Sequence, residues 1–252
     1  MKDFWNGVYY KKYSVFQETA ALKFLKEFPF NGIKRVLDIG CGTGNISKWM
    51  ADRLPHGKVI GIDPSQQMLG EAVADYKDIP NLEFVHHRAE TFQFDEPFDL
   101  ITSFHALHFV KNQLEAFEQI KSALAPEGKV LIRMASRIHP VLLDVLNRTP
   151  WRSTFPIENK FFPLSLDRAQ AILQQLGFSI GQIGLDTKAY SFRTPKECYE
   201  WVMTWVSYLS ELSEDDTHQF ATEFTEHLCF KEQRRRDIPF QTNTLLIKTW
   251  TL

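Results

Sequence analysis

A glycine-rich turn near the start of the chain carries the residues best suited to bind a ligand. Residues 36–44 read VLDIGCGTG, so Asp38 comes just before three alternating glycines that begin at Gly40. Glycines in a turn of this kind let a ligand approach backbone N–H groups closely. Asn45 stands where the dinucleotide fingerprint would place its third glycine, which disfavours a ligand that contains a pyrophosphate.

A second carboxylate follows at the end of the next apolar run. Asp63 closes the segment KVIGID, and a carboxylate at this place can accept hydrogen bonds from both hydroxyls of a ribose. A nucleoside without a pyrophosphate would satisfy both the glycine turn and Asp63.

The elements that must position these residues alternate between strands and helices. Apolar strands are predicted at 34–39, 58–63, 82–87, 98–104 and 129–135, with helical segments between them. Continuous apolar strands that alternate with helices indicate a parallel sheet covered on both faces. A helix at 165–177 and strands at 178–186 and 242–250 complete the pattern.

We predict a single α/β domain over residues 1–252. Its fold is expected to be a Rossmann-like, seven-stranded, mostly parallel sheet with helices on both faces and a small helical and aromatic cap. The predicted core comprises 31–135, 166–186 and 237–252, and the predicted cap comprises 1–30, 136–165 and 187–236.

The two carboxylate motifs together resemble those of the class I S-adenosylmethionine (SAM) methyltransferases. The matching segments are VLDIGCGTG and VIGIDPSQQML. The resemblance implies SAM as cofactor and S-adenosylhomocysteine as product. It also implies that Asp38 meets the methionine ammonium, directly or through water, and that Gly40 and Gly42 leave room for the amino-acid part. Asp63 would hold the ribose, and Met68 would pack on the adenine.

The family's third motif is altered here. After the third strand these enzymes often carry an acidic residue and then alanine, whereas this chain has Arg88-Ala89. The adenine would then be held by Glu90 or by the backbone of Ala89. The remaining predicted cofactor contacts are Cys41, Asn45, Pro64 and Phe104.

The less regular segments resemble the small-acid carboxyl methyltransferases of the trans-aconitate and juvenile-hormone-acid types. In that resemblance Gln17 lies near the acceptor carboxylate or the amino-acid group of SAM. His108 and Phe109 match a family His-Trp pair, and Trp151 matches a family tryptophan. Tyr10 is a further predicted acceptor contact.

A carboxylate acceptor needs little catalytic machinery. It is already an anion at neutral pH, so methyl transfer depends mainly on in-line placement and on the exclusion of water. A phenol or an amine would benefit from a base, for which His105 and His108 are the first candidates. The candidate catalytic residues are therefore Gln17, His105 and His108.

Other functions stay open at this point. A malonyl group on acyl carrier protein would need a basic surface, for which Arg133, Arg137 and 234–236 are candidates. Quinone or amine methylation, a SAM-binding protein without catalysis, and an NAD-linked reductase are further alternatives. His105 and His108 have a spacing that could suggest a metal, but no Cys or carboxylate stands beside them, and we predict no metal site.

Composition limits the partners and the compartment. The 252 residues carry a formal charge of −2, so no global field favours nucleic acid. Three separate cysteines fit a reducing cytoplasm, and no stretch approaches the ~20 apolar residues of a membrane span. We expect a cytoplasmic monomer or homodimer that acts on a small-molecule acid.

Overall fold

A seven-stranded sheet forms the centre of the molecule in the computed structural model, which describes residues 3, 5–148, 150–187, 189–210, 212–231, 238–241 and 244–250. Its strand order is β3-β2-β1-β4-β5-β9-β6, and β7 pairs with β8 in a separate small sheet. The strands are β1 Arg35–Ile39, β2 Lys58–Asp63, β3 Leu82–His86, β4 Phe98–Phe104, β5 Leu124–Ala135, β6 Ser179–Asp186, β7 Ala189–Phe192, β8 Ile238–Gln241 and β9 Thr244–Trp250.

The sheet is parallel except at one strand. The strands β1 to β5 pair in parallel, and β9 runs antiparallel to both β5 and β6. The predicted seven-stranded, mostly parallel, Rossmann-like sheet is therefore confirmed.

Helices cover both faces of this sheet and also form the cap. Their bounds are α1 Gly7–Tyr13, α2 Val15–Lys26, α3 Asn45–Ala51, α4 Gln66–Tyr76, α5 Gln113–Ala123, α6 Pro140–Arg148, α7 Ile157–Lys160, α8 Leu166–Gln175, α9 Pro195–Met203, α10 Val206–Leu209 and α11 Glu214–Lys231. Two short 3-10 turns occupy Leu107–Phe109 and Pro150–Thr154. No helix among the described residues combines the length and the hydrophobicity needed to cross a bilayer.

The central strands β1, β2 and β4 are buried over most of their length, and they carry apolar side chains on both faces, as expected where helices cover both sides of a sheet. Val36 and Leu37 are neighbours on β1, yet they pack into different hydrophobic clusters, since successive side chains of a strand point to opposite faces. Helices α2 and α3 contribute to one cluster, and α5 and α8 contribute to the other.

The cap has a hydrophobic core of its own. Its buried side chains come mainly from α6, α9, α10 and α11, with Trp151 and Phe155 among them. The segment 136–165 contributes two helices and a 3-10 turn to this core.

One predicted boundary between core and cap is wrong. The segment 237–252 was assigned to the core, but Ile238–Gln241 pairs with Ala189–Phe192 in the small sheet. The strand that belongs to the central sheet begins at Thr244.

Candidate functional site

A cavity of about 600 Å³ lies at the carboxyl ends of the strands. Its wall includes the last residues of β1, β2 and β4, namely Ile39, Asp63 and Phe104. In the strand order, β1 and β4 are neighbours, and the connections from them lead to opposite sides of the sheet. Open α/β sheets bind their ligands at such a switch point.

The glycine turn after β1 forms one wall of this cavity. Gly40 has φ 72°, and a Cβ atom there would lie 2.1 Å from Cβ of Ala106, so only glycine fits. Gly42 has φ 55°, and its added Cβ would meet only a ring atom of Tyr10, at 3.6 Å. Gly42 and Tyr10 both line the cavity, so the glycine keeps the space between them open.

Asp63 is fixed at the end of β2 by backbone donors. The N–H of Gly42 donates to Oδ2 at 3.0 Å, and the N–H of Ser65 donates to Oδ1 at 2.9 Å. Burial raises the pKa of Asp63 to about 6, with smaller contributions from Asp3 and Asp38. Each carboxylate oxygen keeps a further lone pair for a donor in the cavity.

Asp38 lies behind the glycine turn rather than in the cavity wall. Its carboxylate accepts hydrogen bonds from the hydroxyls of Ser47, at 2.6 Å, and Thr102, at 2.8 Å. Burial raises its pKa, and these two hydrogen bonds oppose the rise. Asp38 is not part of the cavity wall, so of the two contacts predicted with the methionine ammonium, the water-mediated one fits this geometry.

Two residues beside the turn also face away from the cavity, contrary to prediction. Cys41 packs beneath the turn, where its side chain contacts the position of Gly61 on β2. Asn45 donates to Glu18 and accepts from the hydroxyl of Tyr76, at 2.6 Å. Neither residue is part of the cavity wall, so side-chain contacts from them to a cofactor are not supported.

The other predicted cofactor residues do line the cavity. Pro64, Met68, Ala89 and Phe104 all belong to its wall. Glu90 is in the wall as well and accepts a hydrogen bond from the guanidinium of Arg88, at 2.9 Å. The altered third motif therefore places a carboxylate that is paired with Arg88, rather than an unpaired carboxylate, at this end of the cavity.

His108 is held as a neutral donor. Its Nδ1 accepts the backbone N–H of Ala135 at 3.2 Å, so the ring proton is on Nε2. Burial lowers its pKa to about 3. His108 lines the cavity and can therefore donate a hydrogen bond there, but it cannot accept a proton at Nε2.

His105 follows β4 with an unusual backbone conformation. Its φ is 58°, a region that few residues other than glycine adopt. Burial, and then the charge of Arg133, lowers its pKa well below the usual value. Its Nε2 is buried and finds no hydrogen-bond partner among the described residues.

Gln17 joins α2 to the cap at the cavity wall. The hydroxyl of Thr204 donates to the carbonyl oxygen of Trp201, at 2.7 Å, so it can only accept from the Gln17 amide, at 2.8 Å. This fixes Nε2 of Gln17 toward Thr204. Oε1 is then left buried, without a partner in the described part of the chain.

The predicted acceptor residues divide into two groups. Tyr10, Gln17, His108 and Phe109 line the cavity. Trp151 is not part of the wall: its indole N–H donates to Glu223 at 2.7 Å, so the structure places it as an anchor of the cap.

Sequence reasoning missed other wall residues. Trp201, Trp205 and Tyr208 have the helical spacing of packing residues, and they both pack in the cap and line the cavity. No motif or spacing in the sequence around Asp3 and Trp5 indicates that they line a cavity. Trp5 stacks on Tyr208 with ring centroids 4.7 Å apart, which brings the N-terminal segment over the cavity.

The two described basic residues that were considered for a carrier protein are placed differently. Arg133 is buried and pairs with Asp186 at 3.2 Å, and Arg137 lines the cavity. Residues 234–236 lie outside the described residues. Within the described ranges, no three His, Cys, Asp or Glu side chains are grouped so that they could hold a metal ion.

Comparisons with known proteins agree with this geometry. Residues 36–128 match the family described as "Methyltransferase domain". Trans-aconitate 2-methyltransferase of Escherichia coli strain SE11 is 24% identical over 249 residues, which cover 96% of this chain and 93% of the relative.

Solved structures show the same fold. The YcgJ protein from Bacillus subtilis superposes with a TM-score of 0.64 at 19% identity, over 93% of this chain and 98% of that one. Haemonchus contortus phosphoethanolamine N-methyltransferase 2, in complex with S-adenosyl-L-methionine, gives a TM-score of 0.62 at 22% identity, over 92% of this chain and 52% of that one. The chain is a class I SAM-dependent methyltransferase.

Proposed function

We propose that the protein methylates the carboxylate of an organic acid. The observation that carries this proposal is the state of the histidines at the cavity. Nδ1 of His108 is occupied by the backbone of Ala135, and the pKa of His105 lies well below its usual value because of burial and Arg133. A base is most effective with a pKa near the working pH, so the site suits an acceptor that is already an anion.

The cofactor end of the cavity fits SAM. Asp63 would accept the ribose hydroxyls, Gly40 and Gly42 would border the amino-acid part, and Met68 and Ala89 would border the adenine. SAM, when bound, supplies the methyl group: the carbon–sulfur electron pair stays on sulfur while the carboxylate oxygen forms the new bond to carbon, with no proton to remove.

The chain's own contribution is placement and the exclusion of water. Trp5 stacks on Tyr208 and meets the edge of Phe109, with ring centroids 5.1 Å apart. These rings join the N-terminal segment to the cap across the cavity. A closed aromatic wall orients the acceptor and keeps water from the reacting atoms.

The relationship to trans-aconitate 2-methyltransferase supports the same acceptor group. The match extends over nearly the whole of both chains, and therefore includes the cap segments as well as the sheet. At this level of identity the acid itself is not transferred from one protein to the other.

The test is release of S-adenosylhomocysteine, followed by mass spectrometry. Purified protein and SAM are incubated with free acids, carrier-bound acids, phenols and amines. We expect turnover with free acids to give a base-labile methyl ester, and kcat/KM at saturating SAM to be flat above about pH 7. Turnover with phenols or amines alone, with a rate that rises with pH, would contradict the proposal.

A further inference from the structure

Tyr10 projects from α1 onto the glycine turn at the cofactor end of the cavity. A Cβ atom added to Gly42 would lie 3.6 Å from Cε1 of Tyr10, and both residues belong to the cavity wall. The turn at Gly42 would border the amino-acid part of SAM. The sequence predicts an acceptor contact for Tyr10, whereas this position is next to the amino-acid part of the cofactor.

The hydroxyl of Tyr10 is open to the cavity. It makes no hydrogen bond within the described part of the chain, and it is not one of the polar atoms that the protein encloses completely. It differs in this respect from Oε1 of Gln17, which is enclosed. A phenolic oxygen can both donate and accept. Since Tyr10 lines the cavity, its hydroxyl is available to a group that binds there.

The charges that act on this hydroxyl are negative. Burial raises the pKa of Tyr10 well above its ordinary value, and the carboxylates of Glu18, Asp63 and Asp38 raise it further. The hydroxyl therefore keeps its proton at neutral pH. The amino-acid part of SAM carries an ammonium and a carboxylate, and three nearby carboxylates favour the ammonium and disfavour the carboxylate at this place.

Two of these three carboxylates lie behind the cavity wall. Asp38 is behind the glycine turn, and Glu18 accepts a hydrogen bond from the side-chain amide of Asn45, at 2.5 Å; neither acid lines the cavity. Asp63 does line it and would accept the ribose hydroxyls. The acids behind the wall therefore supply negative charge without direct contact, and Tyr10 supplies an oxygen atom in the wall itself.

We propose that the hydroxyl of Tyr10 accepts a hydrogen bond from the α-ammonium of SAM and so fixes the amino-acid part of the cofactor. The motif in the sequence assigns that ammonium to Asp38, which lies behind the turn. Tyr10 is then the direct contact, and Asp38 provides charge from behind it. This inference goes beyond the proposed carboxyl methylation, because it concerns the cofactor and does not depend on the acceptor.

The same contact would hold the N-terminal segment in place. Tyr10 lies on α1, which begins two residues after Trp5, and the two rings meet edge-on with centroids 6.1 Å apart. Trp5 in turn stacks on Tyr208 of the cap. A cofactor that binds Tyr10 therefore supports the aromatic closure over the acceptor end of the cavity.

The first experiment is calorimetric titration of the wild type and of Tyr10→Phe with SAM, S-adenosylhomocysteine and methylthioadenosine. The first two ligands carry the ammonium, whereas methylthioadenosine keeps the nucleoside and the sulfur but lacks the amino-acid part. We expect Tyr10→Phe to weaken the binding of SAM and of S-adenosylhomocysteine by about 10-fold or more, the usual effect of losing a hydrogen bond to a charged group. The Kd for methylthioadenosine should stay unchanged.

Tyr9→Phe is the matched control for this experiment. Tyr9 is the neighbouring residue on α1 and stacks on Tyr13, and it is not part of the cavity wall. The substitution removes the same hydroxyl from the same helix, so a merely structural effect on α1 would be seen here as well. We expect all three Kd values to stay at their wild-type levels.

The pattern across the three ligands decides the role of Tyr10. Equal losses for all three ligands would show that the hydroxyl acts on the nucleoside site, and a loss for SAM alone would assign it to the sulfonium. Unchanged Kd values with a lower kcat/KM for the acid would return Tyr10 to the acceptor end. Each of these results would overturn the inference. The titrations need no acceptor, so their outcome is separate from the test of carboxyl methylation.

The second experiment tests the link between Tyr10 and the N-terminal segment. Hydrogen exchange of the backbone amides of α1, Gly7–Tyr13, is measured with saturating SAM and with saturating methylthioadenosine. We expect slower exchange with SAM in the wild type, because only SAM would hold Tyr10. Tyr10→Phe should abolish the difference between the two ligands. Equal protection by both ligands in the wild type would reject the link.

Discussion

The two ends of the cavity are built in different ways. The cofactor end consists of short turns at the ends of adjacent strands, where Gly40, Gly42 and Asp63 are held by backbone hydrogen bonds. The acceptor end consists of side chains from distant segments, such as Gln17 on α2 and Trp205 beside α10. Backbone turns set the identity of a cofactor, and side chains collected by tertiary packing set the identity of an acceptor.

The two ends also differ in electrostatics. At the cofactor end a buried carboxylate, Asp63, receives two backbone N–H groups. At the acceptor end His105 and His108 both have lowered pKa values because they are buried. One end therefore offers an anionic acceptor of hydrogen bonds, and the other offers neutral imidazoles.

The largest effect is expected from Gly40→Ala. Its added methyl would lie 2.1 Å from Cβ of Ala106 at a positive φ, so the turn must move away from its present position. We expect SAM affinity to fall about 100-fold or more, because the displaced turn no longer presents its backbone N–H groups to the ligand at hydrogen-bond distance. Calorimetric titration of the variant and of the wild type with SAM measures this change in Kd.

Gly32→Ala is the matched control for that experiment. Gly32 also has a positive φ, 81°, but nothing lies within 4 Å of its added Cβ. It should lose about 1–2 kcal/mol of stability from backbone strain and keep its SAM affinity. If both variants lost the same SAM affinity, the loss would be explained by backbone strain, and the close approach of Gly40 to Ala106 would not be its cause.

The turn and the sheet were predictable because their signals are local. The run of apolar residues before Gly40 and the carboxylate of Asp63 lie on consecutive strands, and the alternation of elements brings them together. Cys41 and Asn45 show the limit of this reasoning. They are adjacent to cavity residues along the chain, yet one packs under the turn and the other faces α2.

The cap was less predictable because its contacts are long-range. Asp3 meets Ser65 across 62 positions, and Gln17 meets Thr204 across 187. Trp151 and Trp205 are the same residue type in the same hydrophobic cluster, but only Trp205 reaches the cavity. No spacing along the chain distinguishes them, since the difference arises from how the cap helices pack.

The next effect in size is expected from Asp63→Asn. It removes the charge that would accept the ribose hydroxyls, and SAM affinity should fall about 10- to 100-fold. Asp99→Asn is the matched control, because Asp99 also accepts two backbone N–H groups, from Lys34 and Arg35, but is not part of the cavity wall. An unchanged Kd in Asp63→Asn would remove Asp63 from the cofactor site.

Asp63 should also leave a signature in the pH dependence of stability. Its pKa in the folded protein, about 6, lies above the ordinary value of 3.8. The folded state then binds more protons, so the contribution of Asp63 to the free energy of unfolding should fall by about 3 kcal/mol as pH rises from about 4 to 6. Urea unfolding at each pH gives the free energy of unfolding of the wild type and of Asp63→Asn, and the difference between the two isolates the contribution of Asp63. A difference that does not change with pH would contradict the prediction.

At the acceptor end a moderate effect is expected from Gln17→Ala. The substitution removes the link to Thr204 and the buried Oε1, so kcat/KM for the acid should fall about 10-fold with little change in melting temperature. Gln174→Ala, on the exposed side of α8, is the control and should leave both unchanged. A loss confined to the Kd for SAM would assign Gln17 to the cofactor end instead.

The smallest effect is expected from Trp5→Ala, which opens the aromatic closure between the N-terminal segment and the cap. Trp5 stacks on Tyr208 and meets Phe109 edge-on, and aromatic pairs of this kind are worth about 0.5–1.5 kcal/mol each. KM for the acid should therefore rise about 3- to 10-fold, with kcat nearly unchanged. Trp49→Ala is the control, because Trp49 packs with Phe30 and Arg53 away from the cavity. If the Kd for SAM rose instead of KM for the acid, Trp5 would belong to the cofactor end of the cavity and not to the acceptor end.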